Sequence, residues 1–535
     1  MSPLGNLRVT VVQGSIACFA AVLLFYGLAD RYLWQDEAHT AVLAARLLKY
    51  GRPVAYDGKN LVTTDIVHYS DAEVEAQAAD PKAALAFHLR YREFKPDTTW
   101  KWQPWGLFAI AAASFKLLGQ TTLAARLPFA LAGFATVVLL LRLVHRYTGS
   151  LRMAVLASLF LIGNPYWILH ARQCRYYALS SLFLVLLLLA YLRWQSGGRL
   201  GALAFAATGW CWFQVDYGTV WPVLGICFLY AFVTRAQPIR RIVALGAAMA
   251  ASILPFAYYY ELWGRSVWNA AAWRERFLDD AFNLNEYVIP AVLLVGAAIL
   301  LAWRWKSLKE PERSLAAISV AVFVALAFWI PTVAFTYLRY AIVAEPAAAF
   351  LMAWLLVQWC GSRAALVWPA AAICILTPWA SLPAHPLVPA PDWYPHNPLF
   401  RSEFTFAGEN IFGHQPDPNR SVVEYLRAHA APSDEILINY EDLPLVFYLP
   451  NPIRGGVTAF RALDDSRAAP RFVILRYSVD FTNWPVYEKE VARYQWTPIP
   501  IPAPDVEWGN NPDPMGQPDA SDVPAELYIA RRAGN

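Results

Sequence analysis

Two carboxylates stand side by side, Asp36 and Glu37, in the stretch Trp34-Gln35-Asp36-Glu37-Ala38-His39. The run before them, Val9 to Ala29, carries no charge over 21 residues and is long enough to cross a bilayer. The pair therefore belongs at a membrane surface, at the head of a long polar loop. An ionised carboxylate placed there can take the proton of a hydroxyl group as that hydroxyl attacks. A plainer use also fits, because charges at membrane boundaries are common and acidic side chains favour the first turn of a helix. Asp36 is the candidate base. Glu37 either assists it or caps the helix that begins beside it.

The rest of the chain has to position that pair. Of 535 residues, 57% are hydrophobic and only 16% charged, against about a quarter charged in soluble proteins. With a mean hydropathy of +0.33, the chain reads as a polytopic α-helical membrane protein. A net charge of +4 gives no case for nucleic-acid binding. The six cysteines all lie in or beside apolar segments and show no CxxC or Cys/His spacing, which argues against disulfides and a structural zinc. The first apolar run is too long for a signal-peptide core and reads as a retained anchor.

After Val9–Ala29 comes a polar loop, 30–104, with an amphipathic helix expected at 38–49 and a charged one at 71–93. Trp105 to Leu118 is apolar but short for a span, so an interfacial or re-entrant helix is expected. Further apolar segments lie near 123–144, 152–171, 176–192, 200–215, 217–234, 242–260, 287–303, 314–335, 341–359 and 364–381. The connections 142–152, 193–199, 235–241, 304–313 and Arg363 are basic and hence cytoplasmic; those near 172, 216, 261–286 and 336–340 alternate with them and face outward. The pattern predicts about 11 spans, with the N-terminus inside and the C-terminus outside.

Residues 1–381 thus form a transmembrane domain. The segment 382–419, part of a run with seven prolines between Pro378 and Pro398, reads as a linker. Residues 420–535 read as a small extracytoplasmic α/β domain. Ser421-Val422-Val423-Glu424 has capping-box spacing for a helix ending before Pro432. Strands are expected at 435–440 and 471–476. The proline-alternating stretch 498–504 is expected to be extended but not a strand interior.

The order of these features resembles the polyprenyl-phosphate-sugar-dependent glycosyltransferases of the C-type (GT-C) fold, in their protein-O-mannosyltransferase-like and aminoarabinose-transferase-like branch. The resemblance covers the first span to about residue 355. It rests on the Asp36-Glu37 pair, Gln103-Pro104-Trp105-Gly106-Leu107 and Phe115-Lys116-Leu117-Leu118-Gly119. It rests also on Ala125-Arg126-Leu127-Pro128 through Gly133, Ala171-Arg172-Gln173-Cys174-Arg175-Tyr176-Tyr177 and Arg339-Tyr340 through Pro346. The family's second prolyl residue before Pro104 is replaced by Gln103. The Glu-Lys pair of the aminoarabinose branch is echoed loosely by Trp100-Lys101. The second acidic motif of some relatives is absent, which leaves a divalent metal unsupported and counts against the aminoarabinose assignment.

The resemblance implies a polyprenyl-phosphate-linked sugar as donor, and inversion at the anomeric carbon with Asp36 as base. It leaves lipid, protein and polysaccharide acceptors open. The leaving phosphate should be met by cations, preferably forked arginines. The outward-facing candidates are Lys101, Arg172, Arg175 and, best placed by family position, Arg339; each also suits snorkelling to headgroups. Tyr340, Tyr176 and Trp102 are candidates for contact with the substrate. His170 reads as a ligand or proton carrier, or as a hydrogen-bonded side chain at a span end. Asp216 reads as a second carboxylate or, preferably, as the former of the turn Gln214-Val215-Asp216-Tyr217. No cofactor is certain; a divalent metal stays open, without a second acidic motif to support it.

Two other classes fit the bulk composition. A lipid or oligosaccharide transporter would be expected to show an inverted repeat and ionisable groups inside its spans, whereas here such groups gather at the outer span ends. A catalytically inactive partner in envelope assembly has no need of a carboxylate at position 36.

Overall fold

The structure is a computed structural model that describes residues 3–62, 94–263, 270–332, 337–361, 363–388, 399–413, 416–455, 470–476, 494–504, 510–512 and 524–532. The charged helix expected at 71–93 lies outside them. In chain order the helices begin with α1 (Pro3–Phe25), α2 (Gln35–Tyr50), α3 (Trp105–Leu118), α4 (Thr122–Thr148), α5 (Leu151–Ile162) and α6 (Pro165–Ala171). Then follow α7 (Tyr177–Gln195), α8 (Arg199–Phe213), α9 (Tyr217–Thr234), α10 (Ile239–Tyr259), α11 (Ala270–Tyr287) and α12 (Ala291–Arg304). The last are α13 (Glu310–Trp329), α14 (Glu345–Cys360), α15 (Val367–Leu376), α16 (Glu403–Phe412), α17 (Pro418–His429) and α18 (Asp442–Tyr448).

The chain divides into two compact units. One comprises Met1–Tyr26 and Phe129–Phe412, the other Gly27–Pro128 and Gly413–Asn535. The outer loop therefore groups with the C-terminal segment, a division that falls elsewhere than the boundaries at 381 and 420 expected from composition. The supposed linker 382–419 contains α16.

In the first unit, α14 with the 3-10 turn before it, Leu338–Ala344, is buried on nearly all sides. A helix apolar all round has no solvent face and packs centrally. It lies against α5, α12 and α13. By contrast, α10 keeps most of its apolar surface exposed, as a lipid-facing helix does. Among the described residues, six helical segments are long and apolar enough to cross a membrane, and two bent pairs raise the count to eight: α5 with α6, at 72°, and the end of α11 with α12, at 83°. Each of the eleven expected segments has its helix. The apolar part of α1 (Thr10–Phe25), α8 and the region of α15 are shorter, so at most eight qualify by length. The span expected at 287–303 starts only at Ala291, because α11 occupies part of the expected loop before it.

In the second unit, α3 packs on α2 and has the 14 residues expected of the short apolar segment. The C-terminal part carries a five-stranded mixed sheet in the order β2-β1-β3-β5-β4, with β1 (Ile436–Ile438), β2 (Ile453–Gly455), β3 (Phe472–Leu475), β4 (Tyr494–Pro504) and β5 (Pro524–Arg532). Strands β1, β2 and β3 run parallel; β5 is antiparallel to β3 and β4. Val422 and Leu426 of α17 pack with Ile436, Ile438, Ile453 and Ile474 in its core.

Two local expectations need correction. Helix α17 starts at Pro418, not at Ser421, and its cap is Asp417, whose Oδ1 accepts from the Arg420 amide at 2.9 Å. The proline-rich stretch 498–504 is part of strand β4. It is tolerated because β4 lies at the edge of the sheet that the described residues form. N–H groups alternate sides along a strand, so prolines at 498, 500, 502 and 504 lose their donors on one side only.

Asp417 also accepts from the Tyr32 amide (2.8 Å) and from Asn510 Nδ2 (2.6 Å), joining the outer loop to the C-terminal segment. Removing the carboxylate in Asp417→Ala strands these donors as well as the helix cap. A loss of about 2–4 kcal/mol is expected, read as a lowered thermal-unfolding midpoint of the purified protein.

Candidate active site

Asp36 and Glu37 are not ahead of a helix but inside the first turn of α2, which begins at Gln35, three residues before the expected start. Trp34 precedes them in extended conformation and supplies no side-chain cap. The carboxylates themselves therefore meet the partial positive charge of the helix N-terminus. Gly51, with φ of 73°, ends the helix, and its amide donates to the Leu47 carbonyl at 2.9 Å. At that end Arg46 donates to the carbonyls of Val54, Ala55 and Asn60 and pairs with Asp57 at 2.9 Å, holding the following loop to the helix. Burial alone would raise Asp57. Arg46 and the amides of Asn60 and Lys59 outweigh it, so its carboxyl lies below the ordinary value.

The two neighbouring carboxylates divide. Glu37 is fully buried, and Arg126 grips it with both arms of its fork: Nε to Oε1 at 2.8 Å and Nη2 to Oε2 at 2.6 Å. Nη1 of the same guanidinium donates to the carbonyls of Leu28 (3.1 Å) and Arg31 (2.9 Å), and Nη2 also to that of Tyr32 (3.3 Å). Five hydrogen bonds match the five donors of arginine. They fix the chain from Leu28 to Glu37, which carries Asp36. Asp36 itself is only partly buried. Glu37 is thus held by Arg126, and Asp36 stands beside it with part of its surface exposed.

Lys101 is buried, and the indole of its neighbour Trp100 lies edge-on to His39 of α2, with ring centroids 5.0 Å apart. Trp105 donates Nε1 to the Trp100 carbonyl at 2.8 Å. This places Lys101 and the half-buried Trp102 on a segment held against α2. From the C-terminal segment, Asp442 accepts from Gln35 Nε2 at 2.8 Å, and the Leu443 amide donates to Gln35 Oε1 at 3.2 Å. Glu441, which precedes α18, has a left-handed backbone, φ 62° and ψ 38°. Such strain in a residue other than glycine persists only where surrounding contacts enforce it. Burial pushes Asp442 up to about 6.

The remaining candidates belong to the first unit. Arg172 donates to the carbonyls of Leu23 and Tyr26, so it caps the C-terminal end of α1. His170 is fully buried, its Nδ1 2.9 Å from the Tyr166 carbonyl and its ring between Tyr166 and Tyr177; of its two readings, the hydrogen-bonded side chain at a span end fits this geometry. Asp216 caps α9: its Oδ1 accepts from the Gly218 amide at 2.9 Å, and its Oδ2 from the hydroxyls of Ser180 and Thr219. Burial raises it despite those bonds.

Arg175, Tyr176, Arg339 and Tyr340 lie where α7 packs on the 3-10 turn Leu338–Ala344. The Arg175 guanidinium stands 5.6 Å from the Tyr176 ring centroid, and that of Arg339 4.0 Å from Tyr337. Among the described residues, no three His, Cys, Asp or Glu side chains are grouped to hold a metal ion.

Sequence reasoning passed over Arg126 and Asp442. Arg126 stood in a quoted motif, and an arginine at the head of an apolar run was the available signal. Asp442 had none, because its partner Gln35 is 407 positions away.

Two outcomes follow from this geometry. Arg126→Ala leaves Glu37 buried without its guanidinium and should cost about 3–5 kcal/mol, measured as a drop in unfolding midpoint, whereas Glu37→Gln should cost less. For Asp442, the folded state holds its proton up to about 6 and the unfolded chain releases it near the ordinary 3.8. Its contribution to stability is present below the lower value and lost as pH rises through the higher one. The wild-type midpoint should therefore fall relative to Asp442→Asn between about pH 4 and pH 6 and then run parallel to it.

No protein-family model matches the sequence, and no curated protein is similar to it at a significant level. Solved structures do match. ArnT from Cupriavidus metallidurans in the apo state superposes with a TM-score of 0.60 at 14% identity, over 98% of each chain. The same protein bound to undecaprenyl phosphate superposes with a TM-score of 0.58, also at 14% identity, over 100% of this chain and 99% of that one. The likeness is one of fold: the chain has the helical membrane-protein fold of ArnT along its whole length.

Proposed function

We propose that the protein is an inverting glycosyltransferase that moves a sugar from a polyprenyl-phosphate carrier to an acceptor hydroxyl or phosphate at the outer face of a bacterial inner membrane. The N-terminus is then cytoplasmic and the domain 420–535 periplasmic. The observation that carries this reading is the partly exposed Asp36 on a helix turn that Arg126 and Glu37 hold rigid. The fold shared with ArnT supports it, and ArnT has been solved with undecaprenyl phosphate, a carrier of the proposed class.

For a hydroxyl acceptor, the carboxylate of Asp36 takes the proton as the acceptor oxygen forms its bond to the anomeric carbon. The bond from that carbon to the phosphate oxygen breaks on the opposite side, and its electron pair leaves with polyprenyl phosphate. Attack from the far side inverts the configuration. The lipid phosphate is already a good leaving group, so one base is sufficient. Arg175 and Arg339 are assigned to phosphate recognition, and Tyr176 and Tyr340 to orienting it. Arg172, His170 and Asp216 are assigned to structure, given their bonds to helix ends and backbone.

Purified protein supplied with polyprenyl-phosphate sugars should release polyprenyl phosphate. Asp36→Asn should lower the rate by about 10²–10⁴-fold with an unchanged unfolding midpoint. Equal turnover by the variant would remove Asp36 as the base. A chelator arm reads metal dependence directly.

A further inference from the structure

Both bent helix pairs of the first unit break at the same place. The joint between α5 and α6, at Gly163 and Asn164, and the joint between α11 and α12, at Val288 and Pro290, line one half-open pocket. Irregular backbone among apolar helices is tolerated where it lies buried in protein or lines a cavity. Side chains take up the backbone groups freed here. Asn164 donates Nδ2 to the Tyr287 carbonyl at 2.7 Å and to Glu345 Oε1 at 2.9 Å, and its Oδ1 accepts from the Tyr166 amide. Asn285 Nδ2 (3.1 Å) and His385 Nε2 (2.6 Å) meet on Glu286 Oε1. Arg401 donates Nε to the Thr377 carbonyl at 3.3 Å and Nη1 to the Glu286 carbonyl. None of these groups has a part in the glycosyl transfer proposed above.

The charge pattern of this pocket selects its occupant. Arg401, Glu286 and Glu403 line it, and Glu345 stands behind Asn164. Carboxylates therefore outnumber the guanidinium, with His385 beside them. A ligand complementary to this wall brings one anionic group for Arg401 and one cation for the carboxylates. The lining is completed in part by apolar side chains, Phe160, Met352 and Ile375. The segment that delivers Arg401 exposes Leu399 (66%) and Phe400 (70%), and the Arg401 amide donates to the carbonyl of the exposed Leu376. Apolar side chains left open beside a charged pocket at helix ends suit a lipid surface better than water.

We infer that this pocket holds a phospholipid whose headgroup carries a phosphate and a primary ammonium, with Arg401 on the phosphate, Glu403 on the ammonium, and the start of an acyl chain against Phe160, Met352 and Ile375. A primary ammonium donates three hydrogen bonds to carboxylates, and a trimethylated one donates none. The site discriminates between these headgroups, and it discriminates against anionic lipids that lack a cation.

The test is retention of lipid by the full chain, by native mass spectrometry after exchange into equimolar phosphatidylethanolamine, phosphatidylcholine and phosphatidylglycerol. Glycerophosphoethanolamine serves as the chainless control. The expected result is preferential retention of phosphatidylethanolamine, weakened about tenfold in Glu403→Gln with an unchanged unfolding midpoint. Arg401→Lys keeps the charge but loses the fork and should weaken retention without loss of the fold. Equal retention of the three lipids, or wild-type retention by Glu403→Gln, overturns the proposal. Equal binding of the chainless headgroup overturns the lipid part of it. The readout needs no turnover, so its failure is separate from any failure of the transfer reaction.

Discussion

A single guanidinium, that of Arg126, holds the carboxylate turn in place. Its five hydrogen bonds run to Glu37 and to three backbone carbonyls between Leu28 and Tyr32. A buried ion pair contributes little net stability compared with apolar packing of the same volume, yet losing one partner is costly. Such a pair is better understood as a constraint than as a source of stability. It fixes the path by which the chain enters α2, and therefore the direction in which the neighbouring Asp36 points. The two adjacent acidic residues thus differ in their surroundings: Glu37 is taken up in holding the turn, and Asp36 keeps part of its surface exposed.

The membrane helices and the short apolar helix α3 were legible in sequence, because apolar runs of these lengths have few alternative fates. What was less legible was where a run stops being one straight helix. The breaks before Asn164 and after Tyr287 coincide with Pro165 and Pro290, but the long-range partners at each, Glu345 for Asn164 and the Ser381 carbonyl for Asn285, are not displayed by any local pattern. Helix α17 was misplaced for a related reason. The Ser421–Glu424 spacing mimics a capping box, but Asp417 is tied to Tyr32 and Asn510 and starts the helix earlier. At the candidate site the carboxylate pair was legible from its place after the first span. The division of labour within it was not, because that depends on Arg126, 89 residues away.

The basic and polar residues at the outer span ends show how alike structural and functional groups look in sequence. Arg172 and Arg175 occupy one turn. The first closes the end of α1 through two carbonyls, and the second lies against Tyr176. Asp216 and His170 are likewise taken up by helix-end and backbone hydrogen bonds. Helix termini leave backbone groups unsatisfied, and a polytopic chain has many termini, so most charges found there have a structural use. Arg339 lies over the Tyr337 ring, 4.0 Å from its centroid.

The prolines of β4 have an effect outside the strand itself. Sheets join edge to edge when a strand offers a row of free donors and acceptors to another chain. On the open side of β4 the prolines at alternate positions leave acceptors with no donors between them. An approaching strand can donate to these oxygens but finds no donor for its own carbonyls, and cannot zip along it. A protein confined to a membrane shares a thin layer with its own copies at high local density, where edge pairing would be fastest. The alternate prolines therefore act as a solubility device for the C-terminal sheet, keeping neighbouring copies from merging into a continuous one.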